Sequence, residues 1–154
     1  MRWKVQKLIP LEQVQERLNK LQDKHGSLSL LTEEFAKGRM PPGKFEEYIE
    51  WTTMDHTIRA YNEGEDFEYF AEEELDLPPE DYGKLTPRRL ELLDLMTRGM
   101  ARSINELAGQ AGRDVKNVYR DIKTLEGLGF VSLTKEGRSF IPELLVYEIT
   151  IILG

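Results

Sequence analysis

The chain has 154 residues, 40% hydrophobic and 32% charged, a balance typical of one globular domain or two small ones rather than a fibrous or disordered protein. It contains no cysteine, which excludes disulfides, cysteine-based zinc fingers, iron–sulfur clusters and thiol catalysis. The net charge of -7 disfavours a general nucleic-acid coat or an anionic membrane as partner. Since no stretch resembles a signal peptide or a membrane span, we expect a cytoplasmic protein with no membrane partner.

The charge is distributed very unevenly along the chain. Residues 1–45 carry a net charge of +4, residues 46–81 a net charge of -13, and residues 82–154 a net charge of +2. Such a charge run is usually a solvated surface. The alternatives are a docking surface for a basic partner, or repulsion that keeps this part away from DNA, because acidic groups oppose the counterion release that drives DNA binding.

The first half of the chain predicts a helical region. Apolar residues recur at intervals of three and four between Pro10 and Gly26, which predicts an amphipathic helix. A short helix from Thr32 to Gly38 and a longer one over about residues 44–62 follow. The acidic stretch 65–77 also places its apolar residues on one side of a helix. We therefore interpret residues 1–77 as a helical region for dimerisation or partner binding.

The second half, residues 82–154, begins with two short predicted helices. Thr86 is a suitable N-cap, and Pro87 is favoured at the first helical position, so a helix starts here and ends near Gly99. Ser103 to Glu106 has the pattern of a capping box and starts the next helix. Gly109 to Gly112 predicts the break after it.

A third helix and a β-hairpin follow. Asp114 can cap the helix. Strand-like runs at 130–134 and 138–141 flank a loop in which Gly137 can adopt a left-handed conformation. Residues 144–153 predict one more strand, which would either complete the hairpin sheet or pair across a dimer. The predicted buried face of the third helix consists of Val115, Val118, Ile122 and Leu125.

Three short helices followed by a hairpin describe a winged helix-turn-helix, so the predicted fold class is mainly α with a small β wing. The third helix, residues 114–125, would enter the major groove of DNA, with the wing, residues 130–141, on the flank. Arginine and lysine bind guanine edges or phosphates, and asparagine pairs with adenine. The candidate DNA-binding residues on the helix and wing are Lys116, Asn117, Tyr119, Arg120, Lys123, Lys135 and Arg138.

Residues 85–142 resemble the MarR/ArsR-like winged-helix regulators of bacteria and archaea. The resemblance is carried by residues 103–108 (SINELA) and 118–131 (VYRDIKTLEGLGFV), where Leu-Glu-x-x-Gly and two hydrophobic residues follow the third helix. It implies homodimeric, two-fold, sequence-specific DNA binding in transcriptional control. By position, it implies that Lys116, Asn117 and Arg120 read bases and that Arg113, Tyr119 and Lys123 lie nearer the phosphates.

The chain departs from this family in its dimerisation elements. MarR-type proteins dimerise through helices at both ends, whereas little sequence follows the predicted wing here. Dimerisation would then depend on residues 1–77, on the terminal strand, or on both. Residues 1–84 carry no resemblance to a known family.

The sequence thus predicts a DNA-binding transcriptional regulator that binds a double-stranded operator as a homodimer. The alternative is an antitoxin-type or other protein-interaction module whose acidic N-terminal half binds a basic partner. We expect no enzyme, because His25 and His56 lack metal-ligand spacing and the carboxylates of residues 72–74 would point in different directions on a helix. No catalytic residue, metal or cofactor is therefore predicted.

Overall fold

A computed structural model describes residues 1–154 as a protein of mixed helix and sheet, 54% helix and 21% strand. The chain divides into two compact units, Ile9–Phe70 and Met1–Leu8 with Ala71–Gly154. None of its helices combines the length and apolar character required to cross a bilayer. In chain order the elements are β1 (Arg2–Leu8), α1 (Leu11–His25), α2 (Leu28–Ala36), α3 (Pro42–Asn62), β2 (Phe70–Leu75), a 3-10 helix (Pro79–Lys84), α4 (Pro87–Thr97), α5 (Ile104–Ala111), α6 (Val115–Gly127), β3 (Val131–Glu136), β4 (Ser139–Leu144) and β5 (Val146–Ile152).

The unit Ile9–Phe70 consists of α1, α2 and α3, so its helical character is confirmed. The second helix begins earlier than the predicted Thr32, because the Ser27 hydroxyl accepts a hydrogen bond from the Leu30 amide and caps it. The three helices bury a small core between them. Its fully or nearly fully buried members are Val14, Leu21, Leu31, Trp51 and Met54.

Ion pairs on the flank of this core join α1 to α3. The Arg17 guanidinium donates to the Glu50 carboxylate at 2.8 Å, and this contact raises the pKa of Arg17. Glu47 receives hydrogen bonds from Lys24 and His25, which lower the pKa of its carboxyl to about 2. His25 is thus occupied by a structural contact with a carboxylate.

The other unit contains a three-stranded sheet in the order β2–β1–β5. The prediction that residues 1–77 are helical is therefore wrong for β1 and β2, which both lie in that region. β1 pairs antiparallel with β5, aligning Trp3 with Ile151 and Val5 with Ile149. Trp3 and Val5 are buried, so this face covers the core of the unit. The acidic segment 70–75, predicted as a helix, is the strand β2. Its helix-like composition is overridden by pairing with β1, a strand distant in the sequence.

Basic side chains on β1 neutralise the acids of β2. Arg2 pairs with Glu74, Lys4 with Glu72, and Lys7 with Glu73, at 3.2 to 3.8 Å. The boundary between the units consequently differs from the predicted division at residues 77 and 82. Residues 1–8 and 71–81 belong with the C-terminal part, where β1 and most of β2 form a sheet with β5.

The terminal strand does not complete the hairpin sheet, as one of the two expected arrangements had it, because β5 pairs with β1 of the same chain. The hairpin β3–β4 forms a separate two-stranded sheet, with Glu136 opposite Ser139. Gly137 lies in its turn with a φ of +62°, so the predicted left-handed position is confirmed.

The predicted helices of this unit are confirmed, with changes at two positions. Thr86, Ser103 and Asp114 each accept a backbone hydrogen bond at the start of α4, α5 and α6. Gly109 does not break α5, which continues to Ala111 and ends at Gly112. Val115 is 42% exposed rather than buried, because it lies in the first turn of α6, beyond the core contacts.

Candidate nucleic-acid interface

One side of α6 is fixed in the core, and the other is open to solvent. Val118, Ile122 and Leu125 have no exposed surface, which anchors the helix firmly. With about 3.6 residues per turn, Lys116, Arg120 and Lys123 fall on the opposite side. The exposed polar residues of α6 are Lys116, Asn117, Arg120 and Lys123.

The turn before α6 sets the direction in which this face points. Gly112 has a φ of +64° and ends α5, and the Arg113 amide donates to the Ala108 carbonyl at 3.0 Å. The Asp114 carboxylate then accepts from the Lys116 amide at 2.9 Å. A defined C-cap and N-cap therefore hold α5 and α6 in one arrangement.

The hairpin contacts α6 through aromatic side chains. The rings of Tyr119 on α6 and Phe140 on β4 lie 5.6 Å apart at an angle of 56°. The Lys135 ammonium group lies 5.9 Å from the centre of the Phe140 ring. The helix and the hairpin tip thus form one continuous surface, and the predicted residues Tyr119 and Lys135 are brought together by Phe140.

A notch of about 140 Å³ lies where α5, α6 and the hairpin meet. Two predicted residues, Tyr119 and Arg138, line it. Asn105 and Val115 line it as well, and both are exposed. Sequence reasoning missed these two, because Asn105 was part of a capping pattern and Val115 continued the apolar spacing of the helix.

Arg113 lies apart from the exposed face of α6. Its guanidinium donates to the Asp121 carboxylate at 2.6 Å, and only 15% of its side chain is exposed. Arg89 on α4 donates to the same carboxylate at 3.0 Å and to the Lys84 carbonyl at 2.9 Å. Arg113 therefore positions α6 against α4 through Asp121, a carboxylate that it shares with Arg89.

Lys123 is exposed, but it has a carboxylate partner. Its ammonium group donates to Glu126 at 2.8 Å, and this hydrogen bond raises the pKa of Lys123. No ion pair involves Lys116, Arg120, Lys135 or Arg138. The uncompensated positive charge of the surface therefore comes from these four residues.

Residues 84–151 match a family of uncharacterised proteins described as HVO_A0114. The matched segment contains α4, α5, α6, the hairpin and nearly all of β5. The chain is similar to this family over that segment, and the match names neither MarR nor ArsR regulators. A search of curated proteins found no match.

Proposed function

We propose that this protein is a sequence-specific DNA-binding transcriptional regulator. Residues 82–154 act as a winged helix-turn-helix, with α6 in the major groove and the β3–β4 hairpin as the wing. The observation that carries the proposal is the exposed side of α6, where Lys116, Asn117 and Arg120 point away from a fully buried anchor. An α-helix fits the major groove, where each base pair presents a distinct set of donors and acceptors.

The exposed side chains suit direct readout of bases. Arg120 and Lys116 can donate to the O6 and N7 atoms of guanine, and Asn117 can pair with the N6 and N7 atoms of adenine. Val115 offers an apolar surface for a thymine methyl group. Each good base contact is worth about 1–3 kcal/mol of discrimination against the wrong base.

The remaining candidate residues, one tyrosine and three basic residues, suit the phosphate backbone. Tyr119 and Lys123 lie on α6, and Lys135 and Arg138 extend the surface onto the hairpin. Such contacts fix the orientation of the protein on the duplex and carry no sequence information. We leave Arg113 out of this set because Asp121 holds it.

The regulator would act as a homodimer on a near-palindromic operator. Two copies related by a two-fold axis place two α6 helices in successive major grooves. The half-sites would then lie about one helical turn apart, roughly 34 Å.

The antitoxin-type alternative is less favoured, because much of the acidic charge is used within the chain. Half of the acidic residues between 46 and 81 form intramolecular ion pairs. These paired acids are Glu47, Glu50, Asp55, Glu72, Glu73, Glu74 and Asp81.

The test is selection of bound sequences from a random DNA pool, followed by binding measurements with Arg120→Ala. We expect the wild type to enrich a near-palindromic sequence. Arg120→Ala should bind that sequence about 5-fold to 150-fold more weakly, a loss of about 1–3 kcal/mol, and lose discrimination at one position of each half-site.

The matched control is Arg98→Ala, which removes the same charge from an exposed arginine at the C-terminal end of α4. It should bind the selected sequence within about twofold of the wild type, since surface substitutions away from a site have small effects. No enrichment at low salt, or equal affinity of Arg120→Ala and the wild type, would contradict the proposal.

A further inference from the structure

The strand β5 forms one outer edge of the three-stranded sheet. Its backbone pairs with β1 on one side only, since the strand order is β2–β1–β5. Over its seven residues β5 carries a single charge, that of Glu148. An edge strand with only one charged side chain can accept a further strand through the backbone groups on its outer side.

The opposite edge of the same sheet is protected. β2 carries three consecutive acids, Glu72 to Glu74, and each is paired with a basic residue of β1. Charged side chains on an edge strand oppose pairing with another strand. The two edges therefore differ in side-chain charge, which controls whether an edge strand can pair with another strand.

The core-facing side of β5 is incompletely covered. Ile151 is aligned with the buried Trp3 and Ile149 with the buried Val5, so all four share one face of the sheet. Ile151 is nevertheless 46% exposed. A further strand beside β5 would extend this apolar face and cover it.

We infer that β5 pairs antiparallel with β5 of a second copy, which joins the two three-stranded sheets into one of six strands. The register that overlaps all seven residues places Ile149 opposite Ile149 of the partner subunit on the two-fold axis. Glu148 then lies opposite Thr150 of the other copy. The only charge of the strand is thus kept away from its symmetry mate, which matters for a chain with a net charge of -7.

This inference supplies the interface for the homodimer of the proposed function, and it rests on the sheet alone. It can be tested without DNA. A dimer that binds no DNA would contradict the proposed function only. A monomeric chain that binds DNA would contradict this inference and the homodimeric arrangement, but not DNA binding itself.

The first experiment is sedimentation equilibrium of the full chain with Thr150→Glu. Thr150 is exposed and aligned with Lys4 on β1, so the new carboxylate is tolerated within the subunit. Between subunits it faces Glu148 twice. We expect the wild type to have twice the chain mass of 17.9 kDa and Thr150→Glu to dimerise about tenfold more weakly or worse.

Two further variants make the result specific to this register. Glu148→Lys combined with Thr150→Glu creates two opposite-charge pairs across the interface and should restore the dimer. Thr134→Glu adds the same charge to an exposed strand position of the hairpin and should leave the dimer unchanged. A monomeric wild type, a Thr150→Glu variant as dimeric as the wild type, or failure of the charge exchange to restore the dimer would overturn the inference.

The absence of cysteine permits a second, covalent test. Under mild oxidation Glu148→Cys with Thr150→Cys should form disulfides between subunits, because opposed residues of paired strands lie about 5 Å apart. Ala71→Cys places a cysteine on the β2 edge while Glu72 to Glu74 and their ion pairs stay in place, and this variant should stay monomeric. Cross-linking through β2 and not through β5 would overturn the inference.

Discussion

Asp121 shows how one largely buried carboxylate determines which arginine is held within the fold and which stays exposed. It accepts from both Arg89 and Arg113 while only 13% of its side chain is exposed. Arg113 precedes α6 and Arg120 lies on it, and the local sequence around these two arginines does not predict that their surroundings differ. Their roles differ because the fold buries one beside a carboxylate and leaves the other in solvent.

Asp121→Asn should therefore destabilise the protein. The change leaves two largely buried guanidinium groups without their counter-charge, and we expect the free energy of unfolding to fall by about 2 kcal/mol. Chemical denaturation followed by circular dichroism measures this loss. The matched control is Asp94→Asn, which breaks the exposed pair with Arg98 and should cost less than about 0.5 kcal/mol. Equal losses for the two variants would show that the Asp121 network is not structural.

At the scale of elements, the turn between α5 and α6 depends on one glycine. Gly109 lies inside α5, whereas Gly112 adopts a φ of +64° at its end. The sequence correctly predicted a turn here, but glycine composition alone could not show at which of the two glycines the helix ends. Continued backbone hydrogen bonding, with Leu107 and Ala108 buried against the core, extends the helix past Gly109.

Alanine substitutions at these two glycines should have opposite effects. Neither site has an atom within 4 Å of an added Cβ, so only backbone conformation matters. Gly109→Ala should stabilise the protein by about 0.5–1 kcal/mol, as in other helix interiors. Gly112→Ala should destabilise it by about 1–2 kcal/mol, because the left-handed region is unfavourable for alanine. Thermal unfolding of both variants gives the sign of each change in stability. Melting temperatures that shift in the same direction would contradict this account of the turn.

At the scale of the whole molecule, each compact unit has its own core and one of the two tryptophans. Trp3 belongs to the core of the sheet-containing unit, and Trp51 belongs to the core of the helical unit. Trp51→Phe therefore leaves Trp3 as a fluorescence probe of the sheet-containing unit, and Trp3→Phe leaves Trp51 as a probe of the helical unit.

These probes should respond separately to cavities made in each core. Leu125→Ala should lower the unfolding free energy reported by Trp3 by about 2–5 kcal/mol, and it should affect the Trp51 signal much less. Leu21→Ala should show the reverse. Denaturant titrations of the four combined variants provide the measurement. Equal shifts of both signals would mean that the chain unfolds as one cooperative unit.

The sequence by itself determined the features that depend on residues close in the chain. Hydrogen bonds within a few residues set the helix caps at Thr86, Ser103 and Asp114, and the hairpin turn sets the left-handed conformation of Gly137. Apolar spacing along α6 sets its buried side, which consists of Val118, Ile122 and Leu125. Tertiary structure alone decided the strands β1 and β2, the pairing of β5 and the role of Arg113. Strand pairing and burial bring together residues far apart in the sequence, and the local signal in an acidic segment such as 70–75 favours a helix until its partner strand is in place.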